Sequence, residues 1–337
     1  MREEDPTKDF DLEPEETDSA RRAIGLLREA LSPDPIEILQ TVVGIPTERP
    51  PFPTGAPQLG RYLEASEIAR GGMGAIYRVF DADLGRWLAI KAVAAEWPTR
   101  SALARFVREA RITGQLEHPS IPPVHEFSTT PDGRFYFSMK LVSGRSMDEE
   151  IAALRDRAEG ADLTAMRRPL LSAMIKVCDA LSFAHARGVV HRDLKPSNVM
   201  LGSFGEVLVM DWGIARVLGS SEEEFDPEPE SAGASIVGAG PQQTCAGTIL
   251  GTPAYMSPEQ VAGAIDRIDA RSDVYALGAI LYEVLTLQPA HRTLIRTRGL
   301  EPPSARAPHA GIEPELAALV AKAMAVDPAD RYASAGE

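Results

Sequence analysis

A polar run near the middle of the chain carries the residues best suited to chemistry. Residues 191–198 read HRDLKPSN, and DWG follows from Asp211. Asp193 can orient an attacking hydroxyl, while Asn198 and Asp211 offer the hard oxygen ligands that Mg²⁺ prefers. Lys195 lies two residues after Asp193 and can neutralise charge that develops on a moving phosphoryl group. This ordered set predicts phosphoryl transfer from ATP, a reaction that depends on positioning and electrostatics.

A glycine-rich turn lies upstream between two apolar runs. Residues 68–77 read IARGGMGAIY, with glycines at Gly71, Gly72 and Gly74. Because glycine lacks a Cβ atom, the backbone N–H groups of such a turn can approach nucleotide phosphates closely. A turn of this kind alone is more often an ordinary hairpin. Here it precedes LAIK, an apolar run that predicts a strand ending in the cation Lys91, and this order favours a phosphate-binding role.

In this order, the motifs resemble those of Hanks-type protein kinases, and more narrowly the bacterial serine/threonine kinases built on the eukaryotic pattern. The resemblance runs from about Tyr62 to the end of the sequence. It implies an α+β, bilobal protein kinase fold, with a small β-rich N-lobe that carries one key helix and a larger, mainly helical C-lobe. The implied domains are an N-terminal extension over 1–60, an N-lobe over 61–142 and a C-lobe over 143–337. The Asp-Trp-Gly sequence replaces the usual Asp-Phe-Gly, as in a subset of related bacterial kinases.

The same resemblance assigns roles in nucleotide binding. Lys91 would contact the α- and β-phosphates and pair with Glu109, which lies in a segment with helical spacing over 104–112. ATP and Mg²⁺ are the implied cofactors, with Mn²⁺ as an alternative metal. Any one of the apolar residues near the adenine would be ordinary core, but as a set they form a pocket. The residues placed there by the resemblance are Ile68, Ile76, Ala89, Met139, Leu141 and Met200.

The aromatic residue of the DWG sequence raises a packing question. In the family this position belongs to a stack of side chains that spans both lobes, here Val124, Thr113, Trp212 and His191. Two explanations stay open. The small Thr113 could accommodate the bulk of the indole, because cores respond to single-methylene changes in volume. Alternatively, tryptophan merely substitutes for phenylalanine.

A downstream segment resembles the one that receives the protein substrate in the family. Residues 251–259 read GTPAYMSPE and include Thr252, and this pattern favours serine or threonine over tyrosine as the acceptor. In the family, Glu259 forms a buried ion pair that Arg331 would complete here. Asp273 would hold the backbone of the catalytic loop, which is the HRDLKPSN run.

Between the DWG sequence and this segment lies an acidic, proline-containing and glycine-rich stretch. Its composition predicts disorder, because it offers too little apolar surface to offset the entropy of ordering. Phosphorylation here would let Arg192 and Arg216 bind the phosphate and order the segment, as in many relatives. The candidate acceptors are Thr248, followed by Thr244 and Ser235.

Composition excludes some other classes of protein. The 337 residues include 49 acidic and 35 basic side chains, a net charge of −14, which argues against a nucleic-acid-binding protein. No apolar run approaches the length of a membrane span, about 18 residues. The two cysteines, Cys178 and Cys245, in a chain without a signal peptide predict reduced thiols and a cytoplasmic location, whether alone or as part of a longer membrane-anchored protein.

The two ends of the sequence carry weaker expectations. Residues 1–60 are acidic and then proline-rich, with a predicted amphipathic helix over 17–31. Residues 331–337 are predicted to open the final helix of the C-lobe and to break off within it. The connection between helices ending near Leu287 and beginning near Glu313 is shorter than in most relatives, so a substrate-docking helix is expected to be reduced.

The expected function is a serine/threonine protein kinase that phosphorylates protein substrates. It is expected to phosphorylate its own activation segment, with self-association for the reaction in trans. The alternative is a pseudokinase that binds nucleotide as a signalling scaffold, suggested by Ala69 at the first glycine position, by Trp212 and by the shortened connection in the C-lobe. A small-molecule kinase is disfavoured, because the Gly-Thr-Pro sequence around Thr252 and the Ser-Pro-Glu sequence that ends at Glu259 are both present.

Overall fold

A computed structural model of the chain describes residues 62–71, 74–93, 100–130, 133–158, 162–217, 254–290 and 299–337. The predicted helix over 17–31 and the activation-segment residues 218–253 lie outside these ranges. The described residues divide into an N-terminal antiparallel sheet with one helix and a larger, mainly helical region. The expected α+β bilobal kinase fold is therefore confirmed.

The N-terminal sheet has five strands in the order β1-β2-β3-β5-β4, all of them antiparallel neighbours. Alternate residues of its strands, among them Val79, Leu88 and Ile90, are buried in one apolar cluster. Because side chains alternate between the two faces of a strand, the residues between them point to the other face. The strands are β1 Tyr62–Gly71, β2 Gly74–Asp81, β3 Arg86–Val93, β4 Val124–Thr129 and β5 Phe135–Lys140.

Helix α1, Arg100–Gln115, packs against this sheet. Phe106 is fully buried, and its ring centroid lies 5.2 Å from that of Phe137 on β5. The sequence predicted helix only over 104–112, so the helix is longer than expected at both ends. Leucine, alanine and arginine are good helix formers, and they extend the helix beyond the residues that motif spacing identifies.

The C-terminal region is built around helix α5, whose residues 272–286 are all buried. A helix that is apolar on nearly every side is typical of a core helix rather than a surface one. The longest helix, α3, packs against α5, and Asp162 caps its first turn by accepting hydrogen bonds from Thr164 and Ala165. The helices of this region are α2 Met147–Asp156, α3 Leu163–Ala186, α4 Pro258–Val261, α5 Ala270–Thr286, α6 Pro303–Arg306 and α7 Pro314–Ala323.

Short strands frame the polar motifs. Strands β6, β8 and β9 form one small sheet, while β7 pairs with β10. The HRDLKPSN run therefore leaves β7, passes through a short 3-10 turn at Pro196–Asn198 and enters β8. The remaining strands are β6 Gly144–Ser146, β7 Val189–Val190, β8 Val199–Gly202, β9 Val207–Val209 and β10 Arg216–Val217.

The expectation that the final helix of the C-lobe opens within residues 331–337 stays a prediction. Residues 331–337, all of them described, form bends and a turn and contain no helix. The connection after α5 is described only in part: residues 299–312 contain α6, and 291–298 lie outside the described ranges.

Candidate active site

One face of the N-terminal sheet gathers four of the predicted nucleotide-binding residues. Ile76 on β2 lies directly opposite Lys91 on β3, and Ala89 on β3 lies opposite Met139 on β5. Directly opposed residues of antiparallel strands share a face, as do residues two apart on one strand. The sheet therefore presents Ile76, Ala89, Lys91 and Met139 side by side.

The other predicted residues of the adenine pocket are only partly buried by the protein. Leu141 follows β5 and Met200 lies on β8, and both are half-buried. Ile68 on β1 is 52% exposed, so at most part of its side chain is covered by the protein itself. An apolar side chain with this exposure is available to cover a planar ligand.

The glycine-rich turn connects β1 and β2. Gly71 and Gly74 are paired across its end. A Cβ atom on Gly74 would lie 2.2 Å from the carbonyl oxygen of Ala92 on β3, so only glycine fits there. Gly72 lies outside the described ranges.

A buried ion pair links the sheet to helix α1. Lys91 Nζ lies 2.5 Å from Glu109 Oε1 and 3.8 Å from Asp211 Oδ1. Burial alone lowers the pKa of Lys91, but the two carboxylates more than offset that effect and the pKa is raised. Lys91 is therefore a fixed ammonium group at neutral pH. It connects the helix carboxylate of Glu109 to the DWG carboxylate of Asp211.

The HRDLKPSN run gathers its polar side chains around Asp193. Lys195 Nζ contacts Asp193 Oδ2 at 2.8 Å, and Asn198 Nδ2 donates to the Asp193 carbonyl oxygen at 2.9 Å. The engagement of Nδ2 leaves the amide oxygen of Asn198 as its ligand atom. Asp211 has a left-handed backbone, with φ 59°, and its side chain is 46% exposed. Strained, partly exposed polar residues of this kind cluster at functional sites.

These residues fit a nucleotide with a divalent metal. Asn198 and Asp211 supply one amide and one carboxylate oxygen, and Mg²⁺ in nucleotide sites takes one or two such protein ligands together with phosphate oxygens. Lys91 adds the cation that phosphates require. The donor set is therefore suited to a metal–triphosphate complex.

Asp273, at the start of α5, holds the backbone of the catalytic loop. Its carboxylate accepts hydrogen bonds from the backbone N–H groups of His191 at 2.8 Å and Arg192 at 2.9 Å. A third contact, at 2.8 Å, joins it to Nε2 of His185 on α3. Burial opposes ionisation of Asp273, but the hydrogen bond from His185 leads the effects that lower its pKa. The carboxylate therefore stays ionised and rigid beneath the loop.

Trp212 is almost fully buried in the core of the C-lobe. Its indole Nε1 donates to the carbonyl oxygen of Val209 at 3.1 Å, and its ring centroid lies 4.7 Å from that of His191. Thr113, on α1, is also buried. A phenylalanine at 212 could pack but could not make the bond to Val209, so this hydrogen bond is specific to tryptophan.

A second buried ion pair joins the SPE sequence to the C-terminal residues. Arg331 donates to both carboxylate oxygens of Glu259, from Nη1 and Nη2, each at 2.8 Å. Ser272 donates its hydroxyl to the same carboxylate at 2.8 Å. Burial raises the pKa of Glu259, and the hydrogen bond from Arg331 leads the effects that reverse this and lower it. The pair fixes helix α4 to the start of α5.

Two residues that no sequence motif identified support the HRDLKPSN run, one directly and one through Asp273. His185 supports Asp273, and Gln260 bonds to the backbone of Arg192. A pattern of serine followed three residues later by glutamine, here Ser257 and Gln260, is typical of a helix N-terminus and identifies the cap. It does not reveal the contact with Arg192. The substrate and phosphorylation candidates lie outside the described ranges: Ser235, Thr244, Thr248 and Thr252.

The fold and this site together define the protein kinase class: a β-rich lobe with a lysine–glutamate pair, and a helical lobe that carries the HRDLKPSN and DWG sequences. Residues 62–335 match the family model of the protein kinase domain, and the chain belongs to this family. Among the described residues, no helix has the length and apolar character that a membrane crossing requires.

Several curated relatives are bacterial serine/threonine kinases. The chain is 33% identical over 293 residues to the serine/threonine-protein kinase PknD of Chlamydia pneumoniae, covering 82% of this chain and 30% of the relative. It is 36% identical over 292 residues to that of Chlamydia muridarum, with the same coverage. The chain thus spans about 30% of the length of these relatives.

Proposed function

We propose that this chain is a serine/threonine protein kinase of the bacterial Hanks type, in a subgroup with Asp-Trp-Gly in place of Asp-Phe-Gly. The observation that carries the proposal is the contact of Lys91 with both Glu109 and Asp211. A pseudokinase does not need this arrangement, whereas phosphoryl transfer requires the lysine–glutamate pair and the metal-binding aspartate together. The relatives named as serine/threonine kinases support the class of acceptor.

The nucleotide would be ATP, held with its phosphates beneath the glycine-rich turn. Lys91 would bind phosphate oxygens through its fixed positive charge, and Ile76, Ala89 and Met139 would cover the adenine. Asn198 and Asp211 would hold Mg²⁺, or Mn²⁺, which when bound neutralises charge on the phosphate oxygens. Asn198 also donates a hydrogen bond to the Asp193 carbonyl oxygen, which would fix the position of the metal ligand relative to the base.

The reaction would transfer the γ-phosphoryl group of ATP to a serine or threonine hydroxyl of a protein. Asp193 would accept the hydroxyl proton as the new P–O bond forms and ADP leaves with the old one. Lys195, 2.8 Å from Asp193, places positive charge beside the site where the phosphoryl group moves. No side chain needs to form a covalent intermediate.

Regulation would follow from phosphorylation of the activation segment. We infer that Thr248 is the principal site, with Thr244 and Ser235 as further candidates and Thr252 in the segment that receives substrate. The reaction would proceed in trans between two copies of the chain. A reducing, cytoplasmic location would suit the two cysteines, whether for this chain alone or as the cytoplasmic part of a longer membrane-anchored protein.

The test is incubation of the purified chain with γ-labelled ATP, with and without a generic basic protein substrate and with Mg²⁺ or EDTA. The proposal predicts metal-dependent label on phosphoserine or phosphothreonine, and on Thr248 by mass spectrometry. Label on phosphotyrosine alone would contradict the acceptor class. An absence of transferred label, together with tight nucleotide binding, would favour the pseudokinase.

A further inference from the structure

The peptide unit between Arg192 and Asp193 is held at both of its polar atoms. Its carbonyl oxygen, from Arg192, accepts a hydrogen bond from Nε2 of Gln260 at 2.7 Å. Its N–H group, from Asp193, donates to Nδ1 of His191 at 3.3 Å. This peptide plane sets the direction in which the Asp193 side chain leaves the backbone, so its two partners control the aim of the candidate base.

Hydrogen-bond logic fixes the orientation of the Gln260 amide. Its Oε1 accepts from the backbone N–H of Ser257 at 3.0 Å and from the Ser257 hydroxyl at 3.1 Å, while Nε2 faces the Arg192 carbonyl. In the reversed amide, the NH₂ group would face the N–H donor of Ser257, and the oxygen would face the carbonyl oxygen of Arg192. Gln260 is buried, so water offers little substitute for a lost partner.

The backbone of Arg192 needs such partners. Its φ of 71° lies in the left-handed region, which is costly for any residue with a Cβ atom and persists only where surrounding contacts enforce it. Asp273 holds the N–H group of Arg192 from helix α5, and Gln260 holds its carbonyl from helix α4. The two contacts come from different helices and act on opposite sides of the strained residue.

We propose that Gln260 is a positioning residue for catalysis, which aims Asp193 through the Arg192 carbonyl and couples it to the segment that receives the substrate. This inference rests on the proposed kinase function. Gln260 would then affect the chemical step and leave nucleotide binding unchanged, because the residues that would hold ATP belong to other elements. Ser257 shares the same amide, so a shift of the SPE segment is transmitted to the base.

The discriminating variant is Gln260→Glu. A glutamate keeps the size of the side chain and still accepts from Ser257, since serine with glutamate three residues later is the preferred capping pair. It cannot donate to the Arg192 carbonyl while ionised. We expect kcat, measured below the melting temperature of both proteins, to fall about 10- to 100-fold with the affinity for Mg·ATP unchanged, because a misplaced catalytic group costs rate rather than binding. The melting temperature should also fall, because the buried carboxylate faces the Arg192 carbonyl oxygen without a cation.

The pH dependence provides a readout that a structural role would not give. The carboxyl group introduced by Gln260→Glu gains a hydroxyl donor when it is protonated. Burial against the Arg192 carbonyl oxygen raises the pKa of this carboxyl group above the ordinary glutamate value of about 4.3, so the ratio of variant to wild-type kcat should rise as the pH is lowered from about 8 to about 5.5. Gln260→Met lacks both charge and donor, and its ratio should stay low at every pH. Gln288→Glu, an exposed change of the same kind, is the matched control and should retain wild-type kcat.

The outcomes separate the inference from the function on which it rests. If wild-type protein transfers no phosphate, the kinase proposal fails. If wild type is active and Gln260→Glu or Gln260→Met retains its full kcat, the positioning role is wrong. The role is also wrong if the loss appears equally in nucleotide affinity, or if the kcat ratio for Gln260→Glu does not change with pH.

Discussion

The buried pair between Arg331 and Glu259 offers the largest stability change that this structure predicts. Arg331 is fully buried and Glu259 is 2% exposed at the side chain. Arg331 also donates to three backbone carbonyl oxygens, those of Arg271, Ala325 and Val326. The variant Arg331→Met removes these bonds at similar side-chain length and leaves the carboxylate buried without its cation.

The expected cost follows from that unpaired charge. Removing one member of a buried ion pair destabilises a protein by about 3–5 kcal/mol. For a domain of this size, about 2 °C of melting temperature corresponds to 1 kcal/mol, so a fall of about 6–10 °C is expected. A second change, Glu259→Leu, removes the charge, so the double variant should be more stable than Arg331→Met alone.

The sign of the pH dependence gives a sharper test. The lowered pKa of Glu259 means that the wild-type pair contributes stability above the ordinary glutamate pKa, about 4.3, and loses it as the pH falls through the lower folded value. In Arg331→Met, burial without a cation raises the pKa of Glu259 instead. Protonation of Glu259 then stabilises the variant, so the difference in the free energy of unfolding between wild type and variant should shrink as the pH is lowered from 7 towards 5.

The assay is urea denaturation of both proteins at a series of pH values, followed by circular dichroism. Matched measurements on the double variant isolate the effect of the Glu259 charge. A deficit below about 1 kcal/mol, the size of an exposed ion pair, would refute the assignment of a strong buried pair. So would a deficit that stays constant between pH 7 and pH 5.

The remaining predictions concern the nucleotide site and the aromatic stack. Lys91→Met should lower kcat/KM for ATP by at least about 100-fold in steady-state assays, because the only cation between Glu109 and Asp211 in the described site is removed; activity within about threefold of wild type would contradict this. In the protein that keeps Trp212, Thr113→Leu should lower kinase activity and reduce the free energy of unfolding by about 1–3 kcal/mol. The same change should be tolerated better in a Trp212→Phe background. Equal effects of Thr113→Leu in both backgrounds, measured by kinase assay and thermal melting, would show that the small threonine does not compensate for the indole.

Motif order was sufficient to predict the fold and the elements that carry the polar residues. The position of Lys91 at the end of an apolar run predicted a strand, and the structure has it on β3. Such predictions succeed because each motif combines a local backbone preference with a fixed spacing. Family membership then follows from the match over residues 62–335.

The contacts that depend on several elements at once could not be predicted in this way. Helix α1 is longer than its motif, because packing against the sheet decides where a helix begins and ends. The bond from Gln260 to the Arg192 carbonyl joins residues 68 apart in sequence. No local pattern encodes such a contact, since it depends on how α4 packs beside the catalytic loop.

The role of Asp193 is the central claim, and Asp193→Asn tests it most directly. Asparagine keeps the size of the side chain but cannot accept a proton from the acceptor hydroxyl, and a general base contributes about 10²- to 10⁴-fold to rate. We predict that kcat for phosphate transfer falls within this range while the dissociation constant for Mg·ATP, measured by calorimetry, stays at the wild-type value. An Asp193→Asn protein that labels itself and a protein substrate at the wild-type rate would contradict the account.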